Sequence, residues 1–434
     1  MTTPGTGTRR IAVNALARVE GEGALLVELH DGALHDLQLR IYEPPRFFEA
    51  FLRGRHYTEV PDLVARICGI CPVAYQMSAC AAIEAALGIS VEGPLRELRR
   101  LLYCGEWIAS HALHIYMLHA PDFLGFDTAL AMGAADRERL EAGLSLKQAG
   151  NAILERIGGR AIHPVNVRVG GFHRVPTRAD LAPLAEQLHA ALAVAQDTVR
   201  WVAGFTFPEF GCAVPLAALR RDGEYAVLDG QWCSTNGFAV EPRSFREHVT
   251  ETQVPHSTAL HARLPDGSAY LVGPLARIAL NRRLLGPEAD ACAAEAGLEA
   301  TERNPFRSII ARAVEVVHAC AEAIRIIRDY VPPDHAAVPV SPRVGVGYGW
   351  TEAPRGTLWH RYEVDNDGLI VSADIVPPTS QNQAAIEQDL RLFVDRNLHL
   401  DDRALGVACE RVIRNHDPCI SCATHFLALT VVRA

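Results

Sequence analysis

Two Cys-x-x-Cys elements lie near opposite ends of this chain of 434 residues. The first reads RICGICP over residues 66–72, and the second reads DPCISCATH over residues 417–425. A spacing of two residues lets both sulfurs of a pair point at one ion, and thiolates are soft donors that hold zinc, nickel or iron–sulfur clusters. The pairs therefore predict a buried four-thiolate metal site that brings the two ends of the chain together.

The spacing alone leaves the occupant of this site open. Structural zinc or an iron–sulfur cluster fits two such elements, and a redox pair without metal is a further interpretation. Structural zinc sites usually take their pairs from nearby in the sequence, whereas almost the whole chain separates these two. The flanking residues Arg66, Asp417 and His425 favour a buried charged centre whose surroundings are also specified.

The composition is that of a folded protein with a large core. Apolar residues make up 49% of the chain, and we find no linker, charge block or internal repeat, so we expect one unit over residues 1–434. The first 23 residues lack the apolar stretch of a signal peptide, and no segment approaches the roughly 20 apolar residues of a membrane-spanning helix. We therefore expect a soluble cytoplasmic protein.

The charge argues against a nucleic-acid-binding protein, and the expected compartment argues against a disulfide-bonded one. A net charge of −9 disfavours nucleic acid, and the short basic run at Arg96, Arg99 and Arg100 is better explained as a solvated helix face. In a reducing compartment the cysteines are not expected to form disulfides. Seven of them sit singly among apolar or small residues and are expected to pack as small hydrophobic side chains: Cys80, Cys104, Cys212, Cys233, Cys292, Cys320 and Cys409.

Hydrophobic periodicity predicts a mainly helical α+β fold, with a large helical core and small peripheral antiparallel sheets. Alternating segments around His30-Asp31-Gly32 and around residues 365–368 predict two hairpins. Apolar residues recur at helical spacing in six segments. These predicted helices span residues 94–119, 135–157, 178–203, 304–330, 382–397 and 402–411.

At the paired cysteines, and along essentially its full length, the chain resembles the large subunit of nickel–iron hydrogenases. The motifs RICGICPVAYQMSA and EAPRGTLWHRYEV are most similar to the soluble, cytoplasmic, NAD(P)-linked group that includes the sulfhydrogenase alpha subunits. The resemblance rests on ARVEGEG at 17–23, RFFE at 46–49, RICGICP at 66–72, GRAIHPVNVRVGG at 159–171, EAPRG at 352–356, PPTSQN at 377–382 and DPCISCATH at 417–425.

This resemblance implies a nickel–iron centre whose iron carries carbonyl and cyanide ligands. Cys68 and Cys419 match the terminal nickel ligands of the family, and Cys71 and Cys422 match the sulfurs that bridge nickel to iron. The four cysteines also argue against a second class of relative, the quinone-site subunit of respiratory complex I. That subunit shares the fold as an electron-transfer element but lacks them.

The resemblance also implies a second cation site, usually magnesium and otherwise a second iron. Glu49 and His425, with a backbone carbonyl near Ile375, match its ligands. A carboxylate, an imidazole, a carbonyl and waters suit such an ion, although a single Glu or His is ordinarily a surface or core residue.

Three further residues gain a role from the resemblance. Arg355 matches the arginine over the open face of the metal pair, and Thr379 matches the hydroxyl that hydrogen-bonds a cyanide. Taken alone, EAPRG indicates a surface turn and PPTSQN a helix cap. Glu20 matches the carboxylate beside the terminal cysteine and is expected to be the first proton carrier, whereas its local sequence indicates a solvent-facing strand residue.

The expected reaction is the reversible heterolytic cleavage of hydrogen, which needs a Lewis acid for the hydride and a nearby base for the proton. The Cys419 thiolate is favoured as that base over Arg355, because a guanidinium rarely gives up a proton. The sequence contains no second cysteine cluster and no glycine-rich dinucleotide motif. A partner small subunit with iron–sulfur clusters is therefore implied, with flavin and NAD(P) diaphorase subunits beyond it.

Two positions depart from the family pattern. Tyr75 replaces a histidine found in many members near a bridging sulfur, and its hydroxyl can still donate a hydrogen bond. Residues 426–434 extend past the last motif and match a tail that a maturation protease removes after metal-insertion proteins have loaded the site, unless the tail is cut later or retained. The remaining alternative class is a zinc-stapled binding protein without redox activity.

Overall fold

The structure is a computed structural model that describes residues 7–211 and 213–424. Its helices are α1 (Phe48–Leu52), α2 (Val60–Val64), α3 (Pro72–Leu87), α4 (Gly93–Leu113), α5 (Ala120–Leu124), α6 (Ala129–Ala135), α7 (Arg137–Gly158), α8 (Arg178–Ala203), α9 (Phe245–His248), α10 (Pro274–Asn281), α11 (Pro287–Glu295), α12 (Ser308–Asp329), α13 (Pro378–Arg396), α14 (Asp402–Asn415) and α15 (Ile420–Ala423). Its strands are β1 (Thr8–Val13), β2 (Gly23–His30), β3 (Ala33–Ile41), β4 (Val167–Arg168), β5 (Gly171–Phe172), β6 (Ala217–Arg220), β7 (Gln231–Ser234), β8 (Ala239–Val240), β9 (Thr250–Gln253), β10 (Leu260–Arg263), β11 (Gly345–Ala353), β12 (Gly356–Val364) and β13 (Ile370–Val376).

Four long helices form the largest part of the apolar core. Helix α4 packs against α7 and α12, and α8 packs against the same two helices, so the four close a bundle. The capping box between Thr177 and Asp180 satisfies backbone N–H groups at the start of α8. No helix in the described part of the chain is long and apolar enough to cross a membrane.

Small antiparallel sheets of two or three strands surround these helices. Both predicted hairpins are present, as β2–β3 and β12–β13. The first turns at Asp31 and Gly32, which have φ values of 49° and 77°, as the tight two-residue hairpin turn requires. The predicted fold class, a helical core with peripheral antiparallel sheets, is thus confirmed.

The six predicted helices are also present, with some shifted ends. The segment predicted over residues 94–119 is α4 followed by a π-helical stretch at His114–His119. Helix α8 has the predicted bounds, whereas α13 begins at Pro378, before its predicted start. In the segment predicted from Asn304, the Asn304 side chain accepts the N–H of Phe306, and a 3₁₀ turn precedes α12.

Helix α3, which follows the first cysteine pair, is the main element that periodicity does not predict. Fourteen of its 16 residues are buried, so it has no polar face to produce a helical pattern. Strand β11 lies directly against its backbone. A Cβ atom at Gly347 would overlap the carbonyl oxygen of Ala82 and the amide nitrogen of Ala86. This close contact fixes α3, and with it Cys71 at its start.

The interpretation of Arg96, Arg99 and Arg100 as a solvated helix face is wrong. Arg99 is buried and pairs with Glu84 at 2.6 Å, and Arg100 is buried and pairs with Glu322 at 2.5 Å. A buried charge is tolerated only with a partner, so these ion pairs join α4 to α3 and to α12.

Candidate metal centre

The structure brings the two cysteine pairs together at one buried place. Cys68 follows a 3₁₀ turn in extended conformation and Cys71 precedes α3, while Cys419 precedes α15 and Cys422 lies within it. All four sulfur atoms lie within 4.8 Å of one another, and none of the four residues is more than 3% exposed. The sulfur of Cys419 is 3.5 Å from that of Cys68 and 2.9 Å from that of Cys422.

Arg46 ties the two pairs to each other. Its guanidinium donates to the carbonyl oxygen of Ile67 at 2.7 Å and to the carbonyl oxygen of Ser421. Its own backbone N–H donates to the carbonyl of Thr424 at 2.8 Å. Because Ile67 precedes Cys68 and Ser421 precedes Cys422, one side chain fixes the separation of two motifs from opposite ends of the chain.

The motif that contains Glu20 forms another side of the site. The N–H of Ile420 donates to the backbone carbonyl of Glu20 at 3.0 Å. The Glu20 carboxylate lies 3.1 Å from the sulfur of Cys419 and accepts the N–H of Ser421, also at 3.1 Å. Glu20 is therefore within hydrogen-bond reach of the thiol, and its local sequence pattern, which indicates a solvent-facing strand, does not reveal this contact.

Thr379 is buried in the first turn of α13. Its hydroxyl oxygen accepts the backbone N–H of Cys419 at 3.0 Å, which leaves the hydroxyl hydrogen able to donate elsewhere. The PPTSQN segment does start a helix, as its local sequence indicates, and the same turn fixes the backbone of a cysteine in the cluster.

Arg355 sits in the tight turn between β11 and β12. This turn is buried rather than on the surface, and Arg355 is 2% exposed. Its Nε and Nη2 donate to the backbone and side-chain oxygens of Asp417 at 2.9 and 3.0 Å. Burial alone would lower the pKa of Arg355, but Asp417 and the thiols of Cys419 and Cys71 raise it well above its usual value. The guanidinium therefore remains charged.

A second arginine, Arg277, holds this turn in place. It donates to the carbonyl oxygens of Ala353 and Pro354, both at 2.9 Å, and pairs with Glu315 at 2.7 Å and Glu352 at 3.0 Å. Arg277 and both carboxylates are fully buried. No sequence motif marks Arg277, although it is a charged residue within an apolar stretch of α10, and that is a signal for a buried ion pair.

The donor set fits a soft, positively charged metal centre. Contacts with the sulfurs of Cys422 and Cys68 raise the pKa of the Cys419 thiol well above its usual value, so ionising all four thiols needs a cation. Among the described residues, Nη1 of Arg355 has no hydrogen-bond acceptor although it is buried. A buried donor of this kind suits an anionic ligand at the centre.

The described residues include part of the predicted second cation site. Glu49 lies on α1, and its Oε1 accepts the backbone N–H of Ile375 at 2.8 Å, so these two residues are brought together. His425 and the predicted tail at residues 426–434 lie outside the described residues. The Ile375 contact uses its N–H group, whereas the expected metal ligand is a carbonyl near that residue.

Tyr75 lies in the first turn of α3 and is 1% exposed. Burial, followed by the neighbouring thiols of Cys422 and Cys71, raises the pKa of its hydroxyl well above the usual value. The phenol therefore keeps its proton beside the two sulfurs. Of the single cysteines, Cys212 lies outside the described residues and the others are buried.

Comparison with known proteins identifies similar chains. Residues 46–156 and 265–425 match the sequence profile of nickel-dependent hydrogenases. The chain is 33% identical to the alpha subunit of sulfhydrogenase 1 from Pyrococcus furiosus, over 96% of this chain and 98% of that protein. It is 31% identical to a subunit of the F420-non-reducing hydrogenase vhu from Methanocaldococcus jannaschii, over 88% of this chain and 98% of that protein.

Among solved structures, a NAD+-reducing [NiFe]-hydrogenase in the H2-reduced state is similar over 96% of this chain and 99% of that chain. The TM-score is 0.87 and the sequence identity 29%. The [NiFeSe]-hydrogenase of Dm. baculatum gives a TM-score of 0.76 at 22% identity, over 96% of this chain and 100% of that chain, which shows the shared fold.

Proposed function

The chain belongs to the nickel-dependent hydrogenase family, and from that premise we propose that it is the catalytic subunit that reversibly splits hydrogen into protons and electrons. One observation carries this proposal. Four buried cysteine sulfurs from opposite ends of the chain lie within 4.8 Å of one another, beside the buried guanidinium of Arg355. A soft donor set next to a fixed positive charge suits a metal centre with anionic ligands.

Cys68, Cys71, Cys419 and Cys422 would hold the nickel, and Cys71 and Cys422 would also hold an iron that carries carbonyl and cyanide. When bound, this pair of metals supplies the Lewis acidity and redox capacity that hydrogen cleavage needs. The chain's own contribution is to orient these ligands. The unpaired Nη1 of Arg355 supports a role as donor to such a ligand, as does the hydroxyl hydrogen that Thr379 has available.

The thiolate of Cys419 is the proposed proton acceptor, and the Glu20 carboxylate is the next group to receive the proton. The separation of 3.1 Å between the two groups supports direct transfer. The raised pKa of Arg355 argues against the alternative base, because a guanidinium that stays protonated cannot accept a proton.

Replacing Glu20 tests this route. Glu20→Gln keeps the size of the side chain and its acceptor for the N–H of Ser421, but it cannot relay a proton at neutral pH. We expect normal nickel and iron content with a loss of about 100-fold or more in hydrogen-dependent electron transfer, the range typical of a general acid–base group. Glu22→Gln, at an exposed carboxylate two residues away, is the matched control. Near-normal turnover in metallated Glu20→Gln protein would show that protons leave by another route.

A hard cation, magnesium or a second iron, is proposed at Glu49, His425 and a backbone carbonyl near Ile375. The contact between Glu49 and Ile375 supports this position. We also propose that a maturation protease removes part or all of residues 426–434 after metal-insertion proteins have loaded the site. Intact-mass measurement on nickel-loaded protein would show that loss, and a full-length active enzyme would contradict the processing step alone.

The proposed electron acceptors lie in partner subunits. Among the described cysteines, those outside the cluster are separate buried residues, so the electrons need an iron–sulfur small subunit to leave this chain. A flavin and NAD(P) module beyond that partner is supported by the similarity to sulfhydrogenase alpha subunits and to a NAD+-reducing [NiFe]-hydrogenase.

Metal analysis combined with infrared spectroscopy and a hydrogen-uptake assay tests the function as a whole. We expect nickel together with at least one iron per nickel, infrared bands of carbonyl and cyanide ligands, and reduction of an artificial acceptor under hydrogen. Zinc alone, without those bands and without hydrogen uptake, would contradict the proposal and favour a zinc-stapled binding protein.

A further inference from the structure

A second group of metal-ligating side chains lies apart from the four cysteines. It consists of His256 in the loop before β10, His261 on β10 and Glu387 on α13. One ligand atom from each of the three lies within 4.8 Å of the others. These residues come from separate segments, and nothing in the hydrogen-splitting reaction requires them.

The contacts within this group leave one buried nitrogen without a partner. Nε2 of His256 is 2.8 Å from Oε1 of Glu387, and the same oxygen accepts the backbone N–H of Leu39 at 3.0 Å. His261 is 1% exposed, and in the described part of the chain its Nε2 has no hydrogen-bond partner. An unsatisfied polar group at this depth is costly, so its presence beside a carboxylate and a second imidazole calls for a ligand.

The charge state of His261 suits metal binding. Burial lowers its pKa to about 4, against the smaller opposing effect of the Glu387 carboxylate. At neutral pH the ring is therefore uncharged and has a lone pair available for a metal. The side chains of His261 and Glu387 are buried and that of His256 is partly buried, and the Arg263 guanidinium also acts on the ring of His261.

We propose that His256, His261 and Glu387 bind a Zn²⁺ ion. Two imidazoles and one carboxylate are a donor set that zinc takes, with water as the fourth ligand. Magnesium and calcium prefer oxygen ligands, so the two nitrogens disfavour them. In a tetrahedral site with bonds of about 2.0–2.1 Å, ligand atoms are about 3.3 Å apart. The observed separations, from 2.8 Å up to at most 4.8 Å, bracket this value, so small side-chain rotations would complete the site.

The ion would hold helix α13, which contacts the cysteine cluster, in place. Helix α13 contributes Thr379 to the backbone of Cys419 in its first turn, and Glu387 is eight residues further along the same helix, at a distance of about 12 Å. The zinc would join α13 to β10 directly, and to β3 through the bond from Leu39 to Glu387. We therefore assign it a structural role in holding α13 against these two strands.

Metal analysis of the nickel-loaded enzyme tests the site, because nickel then occupies the cysteines and leaves this group for zinc. We expect about one zinc ion per chain, either as purified or after exposure to excess Zn²⁺ followed by desalting. His261→Ala should lose the zinc and keep the nickel. His335→Ala, at an exposed histidine in a loop, is the matched control and should keep both.

Glu387→Gln provides a second variant in case His261→Ala does not fold. It keeps an acceptor for the N–H of Leu39 but removes the charge, and we expect its zinc affinity to fall by about tenfold or more. An anomalous-scattering map at the zinc edge should place the ion among the three side chains. Absence of zinc uptake by the nickel-loaded wild type, or undiminished zinc in both variants, would overturn the proposal. Neither result depends on hydrogen turnover, so the hydrogenase function is tested separately.

Discussion

The two cysteine pairs are held by different kinds of interaction. The first pair precedes α3, a largely buried helix whose backbone lies against the glycines of β11. The second pair is in and before α15, a helix of four residues, and is held by hydrogen bonds with Glu20, Thr379 and Arg46. Packing of a long helix thus positions one half of the ligand set, whereas hydrogen bonds to a short segment, together with the buried side chain of Ile420, position the other.

This difference indicates an order of assembly. All four cysteines belong to the main apolar core, but Cys68 and Cys71 are attached to α3, a helix of 16 residues, and are expected to reach their positions when that helix packs. Helix α15 has only four residues, and its hydrogen bonds and the buried side chain of Ile420 contact groups that the rest of the fold already presents. A short segment of this kind can dock last, and we expect the second pair to close the site around a metal that the first pair already holds.

Among the polar contacts around the metal centre, the largest effect is expected from Arg277→Met. Removal of this guanidinium leaves the buried carboxylates of Glu315 and Glu352 without their partner and frees the turn that carries Arg355. Breaking a buried ion pair costs about 3–5 kcal/mol in the free energy of unfolding. Urea unfolding should show a loss of that size, whereas Arg328→Met, which removes an exposed ion pair, should leave the free energy of unfolding nearly unchanged. Equal losses in the free energy of unfolding of the two variants would show that Arg277 does not support the turn.

Gly347→Ala tests the packing of β11 against α3, which positions the first cysteine pair, and it should have the next largest effect. The added methyl group would overlap the backbone of Ala82 and Ala86, so β11 and α3 must separate. Overpacking of this kind costs about 1–3 kcal/mol in the free energy of unfolding, and the displaced α3 should lower nickel content. Gly211→Ala, at an open position, is the control. A stable, fully nickel-loaded Gly347→Ala protein would show that the first pair does not depend on this contact.

The smallest of the three effects is expected from Thr379→Val. The variant keeps the shape of the side chain but leaves the buried N–H of Cys419 without an acceptor, which costs about 1–2 kcal/mol. Thermal unfolding and nickel content should both report the loss, and Thr379→Ser, which keeps the hydroxyl, should restore most of it. If valine and serine behave alike, this hydrogen bond does not position the second pair.

Local sequence signals predicted the elements whose causes are themselves local. The start of α8 follows from the capping box at Thr177, and the β2–β3 turn follows from Asp31-Gly32. Helix α3 could not be found by periodicity because 14 of its 16 residues are buried and no polar face alternates with an apolar one. The burial of Arg99 and of the Arg355 turn depends on partners far along the chain, such as Glu84 and Asp417.

The same distinction applies to the metal centre. The spacing of the cysteines predicted that both pairs serve one site, since two sulfurs from each short element can reach one ion. The roles of individual residues around the site came from the resemblance. The contacts by which Arg46 joins the two cysteine pairs and Arg277 supports the Arg355 turn are visible only in the folded chain. Both arginines donate to backbone carbonyl groups, and the sequence does not show which carbonyls a side chain will reach.

X-ray absorption at the nickel edge tests the central claim most directly, namely that cysteines from both ends of the chain hold one nickel centre. The purified enzyme should show nickel surrounded by sulfur, with bonds of about 2.3 Å. The number of sulfur neighbours should fall in Cys419→Ser and stay unchanged in Cys409→Ser, a buried cysteine outside the cluster. Nickel surrounded only by nitrogen and oxygen, or an unchanged sulfur shell in Cys419→Ser, would contradict the account.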